Sequence, residues 1–172
     1  GLAIEGARFV VQGYGEVGAT VARIARSLGA RVIAVSDAKG GVFAAGGLDL
    51  GKVDSWVREH RFLEGMPGVD HVSNAELLEL PCEILVPAAV QNQLTEANAG
   101  RIACRLLVEG ANGPTSVAAD AILAERGIFV VPDVLANAGG VTVSYFEWVQ
   151  GLEGESWTED EVNRRLREKI VP

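Results

Sequence analysis

Three groups of residues are of types and spacings that could do chemistry together, and each follows a short apolar run. The first is Gly13-Tyr14-Gly15-Glu16-Val17-Gly18, a G-x-G-x-x-G spacing. Without a Cβ, Gly13 permits a tight turn, Gly15 lets a pyrophosphate approach the backbone, and Gly18 allows close helix–strand packing. Glu16 and Val17 open the helix whose free N–H groups and positive dipole end favour phosphate. Alone, the spacing also fits a plain glycine-rich turn. Between a strand and an amphipathic helix that leads to a second strand, it points to a dinucleotide. The second is Asp37, 19 residues past Gly18, where a carboxylate can accept hydrogen bonds from ribose hydroxyls. It would repel a 2′-phosphate, which favours NAD. Lys39 could reach such a phosphate, so NADP stays open, and Asp is also a turn former. The third recurs at later strand ends: Ala88 and Ala89 with Asn92, then Asn112 within Glu109 to Thr115, then Asn137 before Ala138-Gly139-Gly140. Small residues leave room for a flat ring, and Asn amides donate and accept at once, as a carboxamide partner must.

The elements that must hold these residues alternate along the chain. Phe9-Val10-Val11 reads as a strand. Val17, Val21, Ile24 and Leu28 fall at helical spacing and form the apolar stripe of the next element, stopped by Gly29. Arg31 to Val35 is a strand, and Val42-Phe43 a short extended piece. A weak helix spans Leu50 to about His60. Ser73 to Glu76 is a capping box for a short helix. Strands follow at Ile84 to Val86, Arg105 to Val108 and Ile128 to Val131. Between them, Thr95 caps a short helix through Ile102, and Thr115 starts one that runs to Arg126 with Gly127 as its C′ residue. A long helix spans about Asn137 to Gln150. Thr158 to Glu161 is a second capping box, opening a helix that carries Val162, Leu166 and Ile170. Strands that are apolar throughout belong in the middle of a sheet, and alternation with helices indicates parallel βαβ units. The expected fold is α/β, doubly wound and Rossmann-type, with a mostly parallel sheet and helices on both faces. Such sheets bind ligands at the carboxyl ends of their strands.

Composition excludes several other classes. The 172 residues are 48% hydrophobic and 22% charged, enough apolar material for a core. No apolar run approaches the roughly 20 residues a membrane span needs, and the N-terminus lacks the pattern of a signal peptide. The net charge of −8, without a basic block, argues against nucleic acid as a partner. Cys82 and Cys104 abut apolar runs and read as reduced core residues of a cytoplasmic protein. His60 and His71 lie in polar stretches and read as solvated, so no metal site is expected.

Several longer motifs carry a family resemblance. They are Val11-Gln12-Gly13-Tyr14-Gly15-Glu16-Val17-Gly18, Val35 to Gly41, Leu80-Pro81-Cys82-Glu83 to Ala89, Glu109-Gly110-Ala111-Asn112-Gly113-Pro114-Thr115, and Asn137 to Trp148. In order and over nearly the whole chain, the sequence resembles the cofactor-binding domain of the glutamate dehydrogenase family, within the glutamate, leucine, phenylalanine and valine dehydrogenases. The resemblance implies reversible oxidative deamination of L-glutamate to 2-oxoglutarate and ammonia, with hydride transfer to NAD or NADP. By resemblance, Gly13, Gly15, Glu16, Val17, Gly18 and Asp37 hold the adenosine and pyrophosphate. Ala88, Ala89, Asn112 and Asn137 lie along the ribose and nicotinamide, and Ser144 matches a serine that helps bind a substrate carboxylate. A positional argument agrees for Ser144. It sits beside a stripe of Val141, Tyr145 and Trp148, where its hydroxyl could reach out of the core, although a mid-helix serine also bonds back to its own helix.

Family subunits are more than twice this length, and the resemblance places the catalytic lysine and aspartate in a substrate domain that precedes this one. No catalytic residue is therefore expected in this chain, which should bind cofactor without turnover. Residues 1–150 are expected to form the NAD(P)-binding Rossmann domain and residues 151–172 a trailing helix that leads back toward the substrate domain. The start at Gly1, without Met, reads like the interior of a longer chain. The alternatives are a free-standing nucleotide-binding module and the cofactor domain of another amino-acid dehydrogenase. The full-length family assembles as homo-hexamers, and L-glutamate or 2-oxoglutarate would bind only together with the other domain.

Overall fold

The apolar runs become strands of one sheet: β1 (Arg8–Gln12), β2 (Arg31–Asp37), β3 (Gly40–Phe43), β4 (Asp70–Val72), β5 (Ile84–Pro87), β6 (Leu106–Val108) and β7 (Phe129–Val131). The computed structural model describes residues 1–171; Pro172, the end of the expected trailing segment, lies outside the described residues. The spatial order is β4-β3-β2-β1-β5-β6-β7. β2, β1, β5, β6 and β7 run parallel, while β3 and β4 are added antiparallel as a meander on the β2 side. The sheet is the expected mostly parallel, doubly wound one. β4 is a strand that the sequence reading leaves out: with Asp70 and His71 exposed at a sheet edge, it has no apolar run to announce it.

Alternation along the strands builds two cores. Phe9, Val11, Ile84 and Val86 face one side, packed by α1 (Glu16–Ser27) and α2 (Leu50–His60). Val10, Leu85 and Leu107 face the other, packed by α3 (Asn74–Leu78) and α4 (Val117–Glu125). A register shift opposite Phe9 and Val10 lets both Ile33 and Ala34 of β2 join the second core. The remaining helices are α5 (Asp133–Ala136), α6 (Ala138–Glu153) and α7 (Glu159–Ile170), with α7 packed on α6. No helix among the described residues is long and apolar enough to cross a membrane.

Four local expectations change. The stripe of Val17, Ile24 and Leu28 is more than half exposed, and α1 instead buries Gly18, Ala19, Ala22 and Ala25. A helix laid close on a sheet needs small residues at the contact, so size rather than hydrophobicity selects the buried face. The segment after Thr95 forms only a 3₁₀ turn at Ala99–Arg101. α4 is capped by Ser116, whose hydroxyl accepts from Ala119 N–H, rather than by Thr115. At α7, Thr158 caps Glu161 N–H, but the Glu161 carboxylate turns to Arg164 and Arg165, so half of the box forms. At α3 the box is complete.

Candidate functional site

β1 and β5 are neighbours, yet the chain leaves them toward opposite faces, into α1 and toward the 3₁₀ turn and α4. That topology opens a crevice at their carboxyl ends. The glycine loop lies there under tight steric limits. Gly13 has a φ of 91°, and a Cβ on it would come within 2.8 Å of the Ala88 carbonyl oxygen. A Cβ on Gly18 would lie 1.8 Å from the Gly13 carbonyl oxygen. Gly15 is the opposite case, with nothing within 4 Å of its Cβ position. Gly15 and the first-turn residues Glu16 and Val17 are exposed, so the start of α1 borders free space. A helix leaves its first-turn N–H groups without partners of its own. The exposed Glu16 carboxylate complements the helix dipole and would compete there with a bound anion.

Polar contacts fix the loop from below. Tyr14 N–H donates to the Ser36 carbonyl at 2.6 Å and Gly13 N–H to the Ser36 hydroxyl at 3.3 Å. The Tyr14 ring is buried in the α1–α2 core, and its hydroxyl donates to Asp54 at 2.9 Å. Burial, reinforced by Asp54, pushes the Tyr14 hydroxyl well above the ordinary phenol range, so it stays a donor.

Asp37 ends β2 half-buried and is engaged on both oxygens. Oδ1 accepts from Lys39 N–H at 2.7 Å, and Oδ2 accepts from Leu63 N–H at 2.6 Å. The turn-forming role is thus real, and the remaining lone pairs are what Asp37 can offer a ribose. Lys39 Nζ lies over the Phe62 ring, 5.8 Å from its centroid.

On the other side of the glycine loop, an open cleft of about 750 Å³ joins Val17, Ala88, Ala89, Asn112 and Asn137. Val90, Gln91, Gly110, Ala111, Gly140 and Val141 complete its lining. They lie inside or beside the sequence motifs, within one to three residues of Ala89, Asn112, Asn137 or Ser144, and that position is their sequence signal. Asn137 Nδ2 donates to Asn112 Oδ1 at 2.7 Å. Asp133 joins the loops after β6 and β7, its N–H donating to the buried Glu109 at 2.9 Å and its carboxylate accepting from Gly113 N–H at 2.8 Å. Gln12, 1% exposed, donates to Gln93 at 2.8 Å beneath the loop that follows β5.

Ser144 stands exposed on α6. Among the described residues, it is Thr142 rather than Ser144 that bonds back, to the Ala138 carbonyl at 2.8 Å. The neighbouring stripe is not a core face: Val141, Tyr145 and Trp148 are each more than half exposed, and Phe146 is the residue of α6 that is buried. Cys82 and Cys104 are buried, free thiols, pushed up to about 12 and about 11 by burial. Among the described residues no group of three or more His, Cys, Asp or Glu side chains is placed to hold a metal ion.

Over residues 1–172 the sequence matches the Glutamate/Leucine/Phenylalanine/Valine dehydrogenase family. The chain belongs to that family. Among curated relatives, it is 51% identical over 171 residues to the NAD-specific glutamate dehydrogenase of Staphylococcus aureus (strain COL), covering 97% of this chain and 40% of the relative. It is 48% identical over 175 residues to the cryptic catabolic NAD-specific glutamate dehydrogenase GudB of Bacillus subtilis, covering 99% and 40%. Its fold matches the hetero-hexameric glutamate dehydrogenase of Thermus thermophilus in a leucine-bound form, with a TM-score of 0.89 at 39% identity over 99% of this chain and 40% of that one. The chain thus spans about 40% of the length of these relatives.

Proposed function

We propose that this chain is the dinucleotide-binding part of a glutamate dehydrogenase and that it takes NAD. The observation that carries the reading is the Gly15 backbone, open to space at the start of α1 and beside the cleft between the strand ends. A pyrophosphate fits that opening because a helix start supplies N–H donors and positive potential, and Gly15 adds no side chain. In this reading Gly13, Gly15, Glu16, Val17 and Gly18 hold the pyrophosphate, Asp37 the ribose hydroxyls, and Ala88, Ala89, Asn112 and Asn137 the nicotinamide half. Ser144, exposed on α6, binds a substrate carboxylate. The names of the relatives support NAD over NADP.

Bound NAD would supply hydride acceptance. This chain's residues would orient the ring, hold the phosphates and shield one side of the cleft from water. Reversible deamination of L-glutamate to 2-oxoglutarate and ammonia would need a lysine and an aspartate from the rest of a longer protein. The 172-residue chain alone would therefore bind cofactor without turnover. Residues 1–150 would serve as the nucleotide domain and residues 151–172 as the segment leading back to a substrate domain. Assembly as a hexamer and a cytoplasmic setting belong to the same reading. Isothermal titration with NAD tests it: saturable binding is the expected result, and no heat at millimolar NAD would overturn it. Glutamate-dependent reduction of NAD by the purified chain would overturn the division of labour.

A further inference from the structure

The glycine loop has a second, side-chain attachment that the dinucleotide fingerprint does not call for. Tyr14 fills an unconstrained position of G-x-G-x-x-G, yet its ring is 8% exposed and its hydroxyl reaches α2. The acceptor, Asp54, is held in turn by Arg23 of α1, whose Nη1 lies 3.1 and 3.3 Å from the two carboxylate oxygens. Three elements meet at this point: the loop, the helix it opens, and the helix behind both. We propose that Tyr14, Asp54 and Arg23 form a positioning anchor that presets the glycine loop for the pyrophosphate. This deepens the proposed function and rests on it.

The physical argument concerns where the loop could otherwise move. Gly13 is walled by Ala88 and Ala89, and Gly18 by the Gly13 carbonyl. Gly15 has no such wall. Tyr14 is its immediate neighbour, so the hydroxyl–carboxylate bond restrains the one stretch of the loop that packing leaves free. A phosphate site made of backbone N–H groups depends on those groups being aimed before the ligand arrives, because ordering them on binding costs affinity. A hydrogen bond to an ionised acceptor is among the stronger neutral-donor contacts. Arg23 keeps the Asp54 carboxylate turned toward Tyr14 although the pair itself is partly exposed.

Tyr14→Phe keeps the buried ring and removes only the donor. It is expected to weaken NAD binding about tenfold. Asp54→Ala should match it, and the double variant should be no worse than either single change, as members of one linkage behave. Asp54→Asn preserves an acceptor for the hydroxyl and should restore binding to within about threefold of the parent. A role in core packing alone would not show that rescue. Hydrogen exchange without ligand gives an independent reading: the amides of Gly15 to Gly18 should exchange faster in Tyr14→Phe and Asp54→Ala than in the parent. Unchanged exchange, or parent-like NAD affinity in Tyr14→Phe, overturns the anchor. A parent chain that does not bind NAD overturns the proposed function instead, and the exchange measurement still decides whether the loop is anchored.

Discussion

The two ends of this chain are built by different rules. In the β1-α1-β2 unit, α1 buries Gly18, Ala19, Ala22 and Ala25 against the strands, and at Gly18 there is no room for a Cβ. In α6 and α7, Phe146 is the buried residue, while Val141, Tyr145, Trp148 and Leu152 stand in the open on one side of α6. Those four fall at spacings of four, three and four residues, one helical face. Helix α1 shows small residues buried and large ones exposed, whereas α6 shows a large apolar face left exposed among the described residues. Burial within the chain accordingly measures fit, whereas the α6 stripe has the character of a contact surface.

Five substitutions break or sharpen that contrast. The largest effect is expected from Gly18→Ala, whose new Cβ would sit 1.8 Å from the Gly13 carbonyl oxygen. Urea unfolding should show a loss of ~3 kcal/mol or more; a parent-like midpoint would mean that the loop yields and is not tightly built. Next, Ala22→Leu forces bulk into a fully buried contact and should cost ~1–3 kcal/mol, while Trp148→Ala should change stability by less than ~0.5 kcal/mol although it removes far more apolar surface. Equal losses would erase the distinction between the two regions. Third, Asp37→Ser should narrow the preference for NAD over NADP by ~1–2 kcal/mol, read by titration with both cofactors. Equal affinities in the parent would show that Lys39, or another cation, already cancels the carboxylate's effect.

The smallest effect concerns the tie between β1 and β5. Arg8 donates twice to the Glu83 carboxylate and also through its backbone N–H, which holds that carboxyl down at about 2. A carboxyl depressed in the folded state binds more protons when unfolded, so its stabilisation is full above about 4.5 and disappears as the pH falls through about 2. Glu83→Gln should therefore lower the thermal midpoint by about 2 °C at neutral pH, with the gap closing between those values. Both side chains are partly exposed, which keeps the effect modest.

What could be read from the sequence followed from local signals. Short apolar strands, the glycine spacing and the Ser73 box each declare themselves within a few residues, and the strand ends then locate the crevice. Hydrophobic periodicity does not point to the buried face of α1, because it follows transfer energy, whereas the contact is decided by the room between helix and sheet. β4 escaped because polar edge strands carry no apolar signal. The links from Tyr14 to Asp54 and from Asp37 to Leu63 join residues 40 and 26 positions apart. Such pairs depend on how α2 returns to the sheet, which no local pattern encodes. Asp37 was legible as a possible ribose acceptor and as a turn former, but not as both at once.

The bond between Asn112 and Asn137 uses only half of each amide. Asn137 gives its nitrogen and Asn112 its oxygen, so the amino group of Asn112 and the carbonyl oxygen of Asn137 take no part in that bond, and both residues line the cleft. One donor beside one acceptor is the mirror of a primary carboxamide's own edge. A guest bearing that group would gain two hydrogen bonds without parting the pair. A carboxylate of the same shape would find one partner and one repulsive oxygen. If the proposed cofactor lies along it, the wall would carry a sign as well as a shape and would favour an amide over its hydrolysed acid.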